Sequence, residues 1–153
     1  MGSSNFTHIE NNYPNFSKNE SFLKRLTVLV EKNLEKEQFG VEDLASAMNM
    51  NRTQLYRRIK SLTGKTTSQY IREIRLLEAM ELHKNDVATA SEIAYKVGFR
   101  SPTYFNKCFH DYFGYPPGDV KKKIATSHGL NKSAEEYNHM VEGKIEEPAP
   151  SPT

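Results

Sequence analysis

Apolar residues recur at helical spacing along most of the chain, and turn-forming residues divide the pattern into short segments. Leu23, Leu26, Val30 and Leu34 fall at i, i+3, i+7 and i+11, with Glu31, Lys32, Glu35 and Lys36 toward solvent. This predicts a helix from about Glu20, ended by Phe39-Gly40. Val41, Leu44, Ala45 and Met48 share one face of a short Ala-rich helix, which Asn49-Met50-Asn51 interrupts. A third helix opens on the Asn51 cap, carries Leu55, Ile59 and Leu62 as its stripe, and stops at Gly64. Thr66-x-x-Gln69 is a capping box at the head of a fourth helix. That helix runs to about Lys84 without Gly or Pro, turns its Tyr70, Ile71, Ile74 and Leu77 inward with Met80 or Leu76, and closes at Asn85-Asp86.

The pattern then starts again. Thr89-x-x-Glu92 is a second capping box, Ser91 to Val97 a second short helix, and Gly98-Phe99-Arg100 a second turn. Ser101-Pro102 offers a cap and a first-turn proline to a helix that runs to about Phe113, with Phe105, Phe109 and Tyr112 on one face, and ends at Gly114. Pro116-Pro117 starts a last short helix bearing Lys121, Lys122 and Lys123. At an offset of 49, Leu44-Ala45 falls on Ile93-Ala94, Met48 on Val97 and Met50 on Phe99. One inserted turn residue changes the offset to 50, and Asn51 then falls on Ser101, Leu55 on Phe105, Arg57 on Lys107, Ile59 on Phe109 and Gly64 on Gly114. A chance helical bundle would keep the apolar stripe but has no reason to repeat cap, cation and glycine in order. The chain is therefore expected to be all-α, with two helix-turn-helix units (about 41–64 and 89–114) joined by a linker helix (about 66–84) inside a domain spanning 20–124. Residues 1–19, Asn-rich and without period, are expected to form a flexible arm. Residues 125–153 are expected to be a flexible tail, with a marginal helix over Ser133 to Val141 and a linker-like end over Glu146 to Thr153.

Charge changes this picture from architecture to chemistry. The net charge of +2 over 153 residues is unremarkable, but its distribution is uneven. Seven basic residues and one acid, Glu73, lie between Met50 and Arg75, and six basic residues and two acids between Tyr95 and Ala125. The helix after Asn51 turns Arg52, Thr53, Tyr56, Arg57 and Lys60 outward and carries no acid. Such a face suits a polyanion, although a merely solvated charged face would fit that stretch alone. The linker helix, at roughly 1.5 Å per residue, would set the two basic helices about one DNA turn apart, near 34 Å.

Other function classes find little support. Cys108 and His110 stand two apart, about 200° around a helix, and so diverge. No HExxH, phosphate-cradling Gly loop or paired-Cys metal motif occurs, so no enzyme activity, metal or cofactor is expected. Cys108 reads as a small core residue. A single cysteine fits a reducing compartment, and the N-terminus lacks the charged-then-apolar layout of a signal peptide, so a cytoplasmic location is expected. No apolar run approaches membrane-spanning length. The competing non-catalytic reading is a helical protein-interaction module that does not bind DNA.

The residues themselves resemble a known family, the DNA-binding domain of AraC-type (AraC/XylS) bacterial transcription regulators, over about Phe22 to Lys123. The resemblance rests on L-A-x-x-M-x-M-N-x-x-x-L-Y-R-R-I-K-x-L-T-G in the first half and I-R-x-x-R-L-x-x-A in the linker. In the second half it rests on I-A-Y-K-V-G-F-x-S-x-x-Y-F-x-K-x-F-x-x-x-F-G-x-x-P. It implies seven helices, double-stranded DNA as partner, and RNA polymerase as a partner of the intact regulator. Carried over by position, the first recognition helix would present Arg52, Thr53, Tyr56 and Arg57 to DNA, and the second Pro102, Thr103, Asn106 and Lys107. The first half also looks like the output domains of hybrid two-component sensor-regulators, which would make the chain one module of a longer protein. Two departures stand out: Thr66-Thr67 replaces the Ser-Pro that often opens the linker helix, and Pro117-Gly118-Asp119-Val120-Lys121 replaces a Pro-Ser-x-Tyr-Arg ending.

Within that frame, Arg57 can take the O6 and N7 acceptors of guanine, or clamp a phosphate. Arg52 and Thr53 can read bases or position the backbone, and Tyr56 can meet a sugar or a thymine methyl or pack inward. Asn106 suits adenine, whereas Lys107 suits phosphate. Lys60, Arg58, Lys65, Lys96, Arg100 and the Lys121–Lys123 run are non-specific electrostatic candidates. Pro102 and Thr103 offer little hydrogen bonding, so the second unit is expected to contribute more phosphate contact than base reading. Arg75 is expected to tie the linker helix to its neighbours. One chain carries both reading helices, so a monomer suffices.

Overall fold

The computed structural model describes residues 17–128, which contain seven helices and no strand. They are α1 (Lys18–Lys32), α2 (Val41–Ala47), α3 (Arg52–Thr63), α4 (Thr67–Lys84), α5 (Ala90–Lys96), α6 (Pro102–Phe113) and α7, helical over 120–128 after a single 3-10 turn at Pro117–Asp119. The arm over 1–16 and the tail over 129–153, with the Ser133 to Val141 helix, lie outside the described residues.

Helix starts follow the capping chemistry of the sequence. Thr66 and Gln69 satisfy each other's amides at 2.9 and 3.1 Å, and Thr89 and Glu92 do the same at 2.9 and 3.3 Å. Asn51 also has a reciprocal partner, since Gln54 returns a bond to the Asn51 amide at 3.0 Å. Gly64 and Gly114 end the two matching helices in the left-handed region, at φ 76° and 84°.

The first helix starts at Lys18, because the Ser17 hydroxyl accepts the Glu20 amide at 3.2 Å, so Lys18 and Asn19 are helical and Ser17 is their cap. It ends at Lys32, because Asn33 caps it; Leu34 lies in the following turn and packs against the second core instead. Phe22, not Leu23, leads the buried stripe with Leu26 and Val30. Residues 125–128, expected in the tail, are helical as part of α7.

Two cores hold the domain. α1, α2 and α3 enclose Leu26, Val30, Leu44, Ala45, Leu55 and Ile59, closed by Ile71 and Ile74 of α4. α5 and α6 enclose Ile93, Ala94, Val97, Phe99, Phe105, Cys108 and Phe109, closed by Leu76, Ala79 and Met80 of the same α4. Because α4 is gripped from two directions, its buried positions sweep around the axis and do not form one stripe. Leu77 falls outside that sweep and is 46% exposed, and Tyr112, also expected inside, is 45% exposed. The second core is aromatic where the first is aliphatic: Phe105 meets Phe99 at 5.1 Å and Phe109 at 5.6 Å, and the His83 ring stacks on Phe105. The unusual ending still closes this core, with Pro117 and Val120 buried.

Between the cores lies Arg75, only 6% exposed. Its Nη1 donates to the carbonyls of Leu34 at 2.6 Å and Val97 at 2.7 Å, and its Nη2 to those of Lys36 at 3.1 Å and Phe39 at 3.0 Å. Three acceptors belong to the α1–α2 loop and one to the end of α5, so a single guanidinium pins both units to the linker. Gly98 makes room for it. Its φ is 87°, and a Cβ there would stand 1.6 Å from Arg75 Nη1. The matching turn residue of the first unit, Asn49, reaches the same left-handed region at φ 56° with a side chain, as asparagine does more readily than most residues.

Arg75→Ala is expected to cost about 3 kcal/mol or more, since it leaves several carbonyls without a donor. Arg75→Lys should recover little, because one ammonium cannot span four acceptors. Urea unfolding followed by circular dichroism measures both, and a loss below about 1 kcal/mol for the alanine variant would contradict the role.

Candidate nucleic-acid interface

The α3 stripe Leu55 and Ile59 is fully buried, which forces Arg52, Thr53, Tyr56, Arg57 and Lys60 to the surface. Arg52, Thr53 and Tyr56 line one wall of a groove whose other wall is the start of α4, Thr66 to Ser68, with Val41 at its end. Arg52 reaches Glu42 of α2 at 3.3 Å, but both side chains are largely exposed, so the pair is weak and readily exchanged. Tyr56 is 43% exposed, which leaves its ring able to touch a ligand. Arg57 is exposed but does not line the groove. Lys60 is exposed too, although its Nζ donates to the Gly64 carbonyl at 2.8 Å and so caps the end of α3.

In α6, burial of Phe105, Cys108 and Phe109 leaves Thr103, Asn106 and Lys107 exposed, with Pro102 half-buried at the first turn. Lys107 lies 3.5 Å from Asp111, another exposed pair. Two cations among the non-specific electrostatic candidates also have partners within the fold. The Arg58 guanidinium sits 3.9 Å over the Phe22 ring and packs α3 on α1. Lys65 pairs with Glu73.

A second groove continues from the first through the shared residues Val41 and Ser68 and reaches Arg72, Tyr104 and Arg100, with Arg75 and Gly98 at its floor. Arg52 of the first unit and Tyr104 of the second therefore border one continuous surface. Arg72, Ser68 and Tyr104 were not singled out by sequence reasoning. The one available signal was the lack of acids around Arg72, where Glu73 alone interrupts the run.

A family model described as a helix-turn-helix domain matches residues 44–123. A solved transcriptional regulator with an AraC-type DNA-binding domain, from Chromobacterium violaceum, superposes at a TM-score of 0.61 with 28% identity, covering 66% of this chain and 89% of that one. The chain belongs to the AraC-type helix-turn-helix family. The DNA-binding domain of AdpA, a global transcriptional factor solved in complex with a target DNA, is 30% identical at a TM-score of 0.61, covering 69% of this chain and 94% of that chain. Histidine kinase P4 of Formosa agariphila is 37% identical over 106 residues, which is 69% of this chain but 8% of the kinase. The chain thus spans a small part of that relative's length.

In this AraC-type domain Glu73 of α4 also ties the turn after α3 to α6. It receives Lys65 from the turn between α3 and α4, and the Tyr112 hydroxyl of α6 donates to its Oε1 at 2.7 Å. Burial alone would raise the Glu73 pKa, but the bonds from Lys65 and Tyr112 outweigh it and hold the carboxyl below its ordinary value. Burial and the Glu73 carboxylate push the Tyr112 hydroxyl up to about 12. A carboxylate with a depressed folded pKa contributes stability above its unfolded value near 4.3 and loses it as pH falls through the folded pKa. Glu73→Gln should therefore lower stability at pH 7, and its deficit against wild type should shrink below about pH 4. Urea midpoints measured from pH 3 to 8 test this; a deficit that does not change with pH would show that ionisation of Glu73 is irrelevant.

Proposed function

We propose that this domain binds double-stranded DNA sequence-specifically to regulate transcription, with α3 and α6 in successive major grooves on one side of the duplex. The observation that carries the reading is the repeated unit: two capped helices, each with a buried stripe and an outward polar face, held by one linker through Arg75. α4 has 18 residues and so spans about 27 Å, commensurate with one helical turn of DNA near 34 Å. The DNA-binding domain of AdpA, solved in complex with a target DNA, supports DNA binding here.

Arg57 is the main base reader, paired with guanine, while Arg52, Thr53 and Tyr56 contact bases, sugars or the near backbone. Asn106 reads adenine, and Lys107 with Thr103 and Pro102 holds phosphate and fits the groove wall. The first unit thus sets most of the specificity. The similarity to a histidine kinase supports a role as the output module of a longer cytoplasmic sensor-regulator acting on RNA polymerase, with this domain monomeric. The domain acts by binding and not by catalysis.

Sites selected from random DNA should share a motif, and affinity for the best site should fall with salt at a log–log slope of about −0.9 per phosphate contacted. Absence of binding to any duplex at low salt would refute the reading. Arg57→Ala should flatten preference among sites and cost about 1–3 kcal/mol on the best one. A uniform loss on every sequence would instead make Arg57 a phosphate clamp.

A further inference from the structure

The two reading helices would leave a stretch of duplex between them, and a cleft lies between the two units that carry them. Successive major grooves on one side of B-DNA are separated by a minor groove and its two bordering phosphate backbones. The cleft between the units is lined by Ser68, Arg72, Arg100 and Tyr104, and none of its lining residues is acidic. It is continuous with the Arg52–Tyr56 groove on one side and reaches α6 through Tyr104, which is 49% exposed. Among the described residues no carboxylate stands within ion-pairing distance of Arg72, which is half-buried in the cleft. Arg100 has one neighbour, Glu37, at 4.0 Å; both are exposed, and at that distance the pair yields to a stronger anion. The third guanidinium, Arg75, is fully engaged by carbonyls and unavailable.

We infer that Arg72 and Arg100 form a third DNA contact, holding phosphates of the backbone that borders the minor groove between the two reading helices. The inference rests on the DNA-binding reading above and adds a site to it. Two guanidiniums on a shallow cleft, one stem half-buried, suit the projecting oxygens of a phosphodiester and lack the reach to enter a groove and read bases. The contact would position the domain without selecting sequence, locking the spacing between α3 and α6 on the duplex.

The test is a salt titration of wild type, Arg72→Ala, Arg100→Ala and the double variant on one selected site and on duplexes that vary the base pairs between the two half-sites. Each single variant is expected to bind about 3- to 10-fold more weakly at low salt, to reduce the log–log slope by about 0.9, and to lose equally on every intervening sequence. Arg72→Lys and Arg100→Lys should keep most of the slope, because a phosphate contact needs charge more than shape. Unchanged slopes in both alanine variants, with wild type binding, would overturn this inference alone. A loss confined to particular intervening sequences would also overturn it, since that indicates groove reading. Failure of wild type to bind any duplex would remove both this inference and the reading beneath it. Arg100 is 76% exposed at its side chain, so its variants test the contact even if those at Arg72 disturb folding.

Discussion

The fold depends on one buried cation with no anion beside it. Arg75 places its guanidinium on four backbone carbonyls, three from the loop between α1 and α2 and one from the end of α5. Burial disfavours its charge and pushes its pKa down, yet arginine stays protonated because its ordinary value is so high. A lysine would be easier to neutralise and could not fork. Carbonyls at turns and helix ends need donors in any case, so the bonds that solvate the Arg75 charge also supply donors to Leu34, Phe39 and Val97. The relative placement of α3 and α6 follows from this junction and from the Glu73 bridge to Lys65 and Tyr112.

Some of the basic side chains have a partner within the fold. Arg58 lies on Phe22, Lys65 pairs with Glu73, and Lys60 caps its own helix. Arg52, Arg57, Lys107 and Arg100 remain at the surface, held at most by exposed carboxylates. Repetition has preserved the backbone of the unit while its contents diverged. Met50 and Phe99 donate to Ala45 and Ala94 at the same 2.9 Å, yet one core is aliphatic and the other aromatic, and the outward residues of α3 and α6 differ in what they can bond.

The local chemistry was legible in the chain. Capping boxes, terminal glycines and the i, i+4 pairs Leu55–Ile59 and Phe105–Phe109 depend on residues a few positions apart, and helical spacing alone assigns their partners. The outward faces of α3 and α6 followed by subtraction from those stripes. Misjudged positions were those whose environment comes from elsewhere in the chain. Leu77 has helical spacing but no neighbour to cover it, and Tyr112 turns outward to Glu73. Leu34 continues the α1 period by spacing but packs against the second core.

The sequence by itself determined the helices, their ends, the repeat and the family, because each is written in short-range spacing and residue type. Tertiary structure alone decided that Gly98 must be glycine for the sake of Arg75, that Arg58 and Lys65 serve the fold, and that Arg72 and Arg100 share a cleft. Those outcomes join residues 8 to 36 positions apart across helix ends, where helical periodicity carries no information and the packing of α4 between two cores sets who meets whom.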